Sequence, residues 1–191
     1  MEKVIEKFNL YDLMGIWGPG VIAITYFYFT SHEFLLSIMH GMGISRGFLS
    51  DNQIIAISCT VIAYMVGVLL HEAGKLLIDP ILKSSTAHLD GFSDYESKRN
   101  AIRFSKDIDL SRIDKYHSVY ALSKSLSVCF AIHEVLIISQ WVVFDAISYW
   151  QIIIDFLLVL LLFERAHRFY KEWVTSILAV YDLRVKDKSS D

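Results

Sequence analysis

Four apolar blocks constrain this chain more than any other feature. They cover about 11–30, 54–70, 125–144 and 146–163, each roughly 17–20 residues long. A helix of that length spans about 27–30 Å, the thickness of a bilayer's hydrocarbon core. Backbone groups in lipid must find partners within their own segment, so helices are the natural form. Composition agrees: 54% of the 191 residues are hydrophobic and only 20% charged, against about 25% charged in soluble domains. Disordered, collagen-like and disulfide-scaffold classes are excluded, and a soluble enzyme is disfavoured. The reading is an all-α integral membrane four-helix bundle, one membrane domain over 1–191, with a helical cytoplasmic loop at 71–124 and an amphipathic C-terminal helix in the tail, 164–191.

Orientation follows from the cations. All of the 18 Lys and Arg residues except Arg46 fall in 1–14, in 71–124 or in 164–191. With four spans these three stretches share a side, which makes both termini cytoplasmic. Glu2 and Glu6 spoil the positive start of a cleaved signal peptide. Gly18, Pro19 and Gly20 predict a helix kink in the first block, because Pro19 has no N–H to donate to residue 15.

Pro80 is expected to stop the extension of the second helix. Ser93 and Glu96 have capping-box spacing ahead of another helical run. In the tail, Phe169, Trp173, Ile177 and Tyr181 recur at helical spacing with no glycine or proline before them. So apolar a stripe is expected to be covered, and a partner or oligomer interface is the reading for it. Cys59 and Cys129 lie inside apolar blocks and read as small packed hydrophobes.

Candidate chemistry is sparse. Three His-Glu pairs occur, at 32–33, 71–72 and 133–134. The second fails as a metalloprotease motif, because Lys75 stands where the second histidine should be. No metal site, cofactor motif or nucleophile motif is expected. His133 and Glu134 lie near mid-span in the third block, and Asp155 near mid-span in the fourth. The short turn between those blocks makes them an antiparallel hairpin. Gln140 and Gln151 extend the polar faces, giving an intramembrane cluster of His133, Glu134, Gln140, Gln151 and Asp155. A charge facing lipid costs about 2.5–3.5 kcal/mol, so these groups should point into a bundle or a wet cavity. Two readings stay open: an ion or proton path, or interhelical hydrogen bonds that hold helices together. Burial at that depth favours the uncharged acid, so at least one of Glu134 and Asp155 is expected to carry a proton and donate across the hairpin. The stretch 71–124 mixes basic Lys98, Arg99, Arg103 and Lys106 with a comparable set of acids, so direct nucleic-acid binding is not expected.

Leu10-Tyr11-Asp12-Leu13 leading to Gly18-Pro19-Gly20, and the exit Glu164-Arg165-Ala166-His167-Arg168-Phe169-Tyr170, resemble the corresponding parts of small multi-span bacterial membrane proteins. Some of these are membrane components of anti-phage defence operons of the Kiwa type. The resemblance covers about a fifth of the chain, and no catalytic residue carries over from it. It implies a bacterial inner-membrane protein that works with a cytoplasmic partner. The functional expectation is an oligomeric membrane protein that senses or perturbs the bilayer, as a pore or ion channel, and couples to that partner. The alternatives are a membrane-embedded enzyme using the His, Glu and Asp groups, and a structural scaffold.

Overall fold

The computed structural model describes residues 11–30, 52–89, 92–103, 111–144 and 149–184. Every secondary-structure element among the described residues is helical. A π-helical segment, Asp12–Trp17, runs directly into α1, Gly18–Thr30. Then come α2, Asn52–Leu77, α3, Asp79–Thr86, and α4, Tyr95–Arg103, led in by a 3-10 turn at Phe92–Asp94. Two long helices close the chain: α5, Ser111–Phe144, and α6, Tyr149–Arg184.

At Gly18, where a kink is expected, the winding changes from π-helical to α-helical. The Gly18 N–H donates to the Leu13 carbonyl, five residues back, while its own dihedrals stay helical. The wider turn makes room for the Pro19 ring without breaking the helix. Pro80 acts as anticipated: it sits in the first turn of α3, where its missing N–H costs nothing.

The order α1–α2 depends on two glycines. A Cβ on Gly20 would lie 1.7 Å from the Ala63 carbonyl oxygen, and one on Gly67 would lie 1.9 Å from that of Ile16. The two helices therefore touch backbone to backbone, the small-residue crossing common between helices in lipid. Gly20 was in the expected kink; Gly67 carried no expectation, yet it is half of the contact.

The helices of the hairpin are longer than their apolar blocks. At 34 and 36 residues, α5 and α6 would each reach about 50 Å, well beyond a hydrocarbon core. About a quarter of the expected middle loop, 111–124, is thus the beginning of α5. The tail as far as Arg184 is the continuous end of α6, as the lack of helix breakers indicated. The pair is antiparallel, with Ser127 beside Val159, His133 beside Asp155 and His117 beside Trp173. α4 packs on the far part of α6, and α1 and α2 pack against α5.

Of the four expected spans, two stretches are long and apolar enough to cross a membrane: Cys59–Leu77 in α2 and Arg112–Ser139 in α5. α1 is 13 residues long. In α6, Asp155 interrupts the apolar run, and Glu164 and Arg165 close it. The core runs the length of the α5–α6 seam, from Cys129 and Val128 to Trp173, Val174 and Ile177. Cys129 is buried, whereas Cys59 is exposed, contrary to the packed position expected for it.

Candidate functional site

The α5–α6 register sets His133 against Asp155, and the glycine crossing brings α1 across the top of both. On α1, Tyr26 and Thr30 are four residues apart and share a face. Four side chains then form one hydrogen-bonded chain. Tyr26 Oη donates to Asp155 Oδ1 at 2.5 Å. Asp155 Oδ2 and His133 Nδ1 are hydrogen-bonded at 2.6 Å. His133 Nε2 lies 2.9 Å from Thr30 Oγ1. The Thr30 hydroxyl donates to the Tyr26 carbonyl at 2.7 Å.

Counting donors assigns the protons. Thr30 has one hydrogen, and it goes to the backbone, so Thr30 accepts and His133 Nε2 must be the donor. His133 and Asp155 are both 0% exposed, and aromatic rings close the imidazole in. Tyr26 and Phe27 present their rings to it edgewise at 4.8 and 5.0 Å. Buried charge is tolerable only when paired and fully hydrogen-bonded, and this pair is both.

The order hydroxyl, imidazole, carboxylate is also that of a nucleophilic triad. Two observations separate this site from one. The Thr30 proton is aimed away from the imidazole, and neither His133 nor Asp155 reaches solvent. A proton path would need further polar partners along the seam. The next hydroxyl, on Ser127, donates instead to the Val159 carbonyl at 3.4 Å.

Of the expected cluster, the structure joins His133 to Asp155. Glu134 is half-buried, one position round the helix, and outside the hydrogen-bonded chain. Gln151 is half-buried one turn before Asp155. The Gln140 side chain lies outside the described residues. Tyr26 and Thr30 were missed, although a polar pair at i, i+4 in an apolar block was a legible signal.

A second polar cluster lies further along the seam, around Lys124 in the middle of α5. Lys124 is 1% exposed, and its Nζ lies 3.0 Å from Asp79 Oδ1. Tyr120 donates to the same oxygen. Gly74 leaves room for the lysine stem: a Cβ there would meet Lys124 Cγ at 2.8 Å. Beside it, the His117 ring is stacked between Tyr11 at 4.4 Å and Trp173 at 4.3 Å, and the Arg99 guanidinium lies over Trp173. Burial, then the Asp79 charge, pushes the Tyr170 phenol up to about 12, so it stays protonated beside Tyr120.

The tail stripe is therefore covered by its own chain. Trp173 and Ile177 are core residues, and Phe169 and Tyr181 pack against that core half-buried. The reason offered for reading them as a partner or oligomer surface, a bare apolar stripe, does not apply to Trp173 and Ile177. Among the described residues, no three His, Cys, Asp or Glu side chains come together as metal ligands. Comparison with protein-family profiles, with curated proteins and with solved structures finds no match.

Proposed function

We propose that this chain is a four-span integral membrane protein of the bacterial inner membrane that couples the bilayer to a cytoplasmic protein partner. The observation that carries the reading is the α5–α6 hairpin. One end of it bears bare apolar side chains, and at the other end the same two helices continue unbroken into a helical head, where α4 packs on α6. Val135, Leu157 and Leu161 are exposed on the hairpin, and Val61, Met65 and Leu69 on α2. A surface of this kind needs lipid to cover it. It supports counting α6 as a further span, because Tyr149, Trp150, Ile153, Ile154, Leu157 and Leu161 are exposed ahead of Glu164.

Within this reading the His133–Asp155–Tyr26–Thr30 chain is a lock between helices. It supports a scaffold or sensor in preference to a pore or an enzyme, both of which need water at these groups. The resemblance to membrane components of anti-phage defence operons supports the setting and the partner, and homo-oligomerisation remains part of the proposal.

The test has two arms. Alkaline carbonate washing should leave the chain in the membrane pellet, and a reporter fused after Asp191 should be active only in the cytoplasm. A photo-crosslinker at exposed Asn100 on α4 should then capture a cytoplasmic protein encoded beside this chain. Release by carbonate, or a reporter active only outside the cell, overturns the membrane reading. Crosslinks only to a second copy overturn the partner.

A further inference from the structure

The outer face of the α5–α6 seam carries three arginines that neither the lock nor the head uses. The Arg165 and Arg168 guanidinium carbons lie 5.7 and 5.3 Å from the centre of the Phe169 ring. The Arg112 guanidinium lies 5.6 Å from the centre of the Tyr116 ring and donates twice to its hydroxyl, at 3.1 Å each. The two rings are 6.1 Å apart, so the cations form one group across both helices. All three arginines are exposed, and none takes part in an ion pair with a described residue. Lys115 adds a further exposed cation on α5; Glu164 and Glu172 are the acids nearest in sequence on α6.

Position gives the group its meaning. Arg165 follows the exposed apolar run Leu157, Leu160, Leu161 on the same helix, so the cations begin where the lipid-facing surface ends. That is the depth of headgroup phosphates. A guanidinium binds phosphate oxygens through a planar fork; the Phe169 ring orders Arg165 and Arg168 without using that edge, while Arg112 spends its Nε and one Nη on the Tyr116 hydroxyl and keeps its other N–H groups for a ligand.

We propose that Arg112, Arg165 and Arg168, ordered by Tyr116 and Phe169, bind the phosphate of an anionic phospholipid headgroup. The inference rests on the membrane reading above. The fork selects phosphate, and the adjoining apolar stripe on α6 holds the acyl chains, which a soluble phosphate does not have.

The test reconstitutes the full chain in nanodiscs of phosphatidylcholine with one fifth phosphatidylglycerol, and measures the lipid retained after extraction into detergent. The wild-type chain should retain phosphatidylglycerol above the bulk ratio. Each arginine near an anionic surface contributes about fivefold in affinity, so R165Q/R168Q should lose roughly 25-fold and return to the bulk ratio. R165K/R168K keeps the charge but loses the stacked fork, and should retain an intermediate excess. F169L removes the ring alone and should also weaken retention. Each variant is read at an unfolding temperature matching wild type, and R112Q, the single change on α5, should lower retention about fivefold. Three results overturn the site: no preference in the wild type, unchanged preference in R165Q/R168Q, or displacement of the lipid by millimolar inorganic phosphate, which marks a site for soluble anions. A chain that stays in the disc without preference refutes the lipid site alone. A chain that leaves the disc refutes the membrane reading.

Discussion

Asp155 is the place to test whether the intramembrane lock is structural. Replacing it with Ala removes the acceptors of two buried donors, the Tyr26 hydroxyl and His133 Nδ1–H. A buried group left without its partner costs about 1–3 kcal/mol, and breaking a buried charge pair about 3–5 kcal/mol. Single interhelical hydrogen bonds in lipid average only about 0.6 kcal/mol, because the unfolded helices also find partners. Two bonds are lost here in a site that is 0% exposed, so we expect a cost of about 2–4 kcal/mol. At about 2–4 °C per kcal/mol for a chain of this length, the unfolding temperature should fall by roughly 5–15 °C. Asp155→Asn should behave differently. Its amide oxygen accepts from Tyr26, its NH2 donates to a neutral His133 Nδ1, and His133 Nε2–H still reaches Thr30. The loss should be about 1 kcal/mol, the difference between a charge-assisted bond and a neutral one. The assay is thermal unfolding in detergent, with oligomer size and growth inhibition or membrane depolarisation on overexpression followed in parallel. The reasoning is refuted if Asp155→Asn unfolds as early as Asp155→Ala. It is also refuted if Asp155→Asn keeps its stability but abolishes activity, because an amide can bond but cannot titrate.

Removing Tyr26, His133 and Asp155 together, as Phe, Leu and Leu, should recover much of the Asp155→Ala loss, and a triple variant less stable than the single one would contradict a lock whose members matter only to one another. Gly67→Ala and Gly20→Ala should each cost at least about 1–3 kcal/mol, because the new methyl meets backbone oxygens at 1.9 and 1.7 Å; unchanged melting would show that the helices do not cross there. Asp79→Ala should destabilise by about 3–5 kcal/mol by leaving the Lys124 ammonium buried and unpaired, and adding Lys124→Met should restore most of it, as a double-mutant cycle can measure. Trp173→Ala should lower the stability of the single chain by about 3–5 kcal/mol while membrane insertion continues; a variant that only dissociates oligomers would return the tail to the role of interface.

Much of this architecture was legible in the chain because it depends on local and periodic properties. Unbroken apolar runs and the absence of helix breakers before Phe169 sufficed for the helices of the described residues and for a tail continuous to Arg184. Pro80 sufficed for the break after α2. The hairpin between the third and fourth blocks followed from the short turn between them, and it predicted that His133 and Asp155 would lie at similar depth. What remained hidden needed contacts between segments far apart in sequence. Tyr26 and Asp155 are separated by 129 positions, and nothing in either segment names the other. Gly67 looks like a dispensable residue in an apolar run until Ile16 is laid against it. The tail stripe shows the same limit from the other side. Its apolar spacing said that something must cover Trp173 and Ile177, and only the packing of α5 and α4 showed that the cover is the chain itself. Periodicity reports which face of a helix avoids water, a property of the helix alone. Which surface meets that face is a property of the whole bundle.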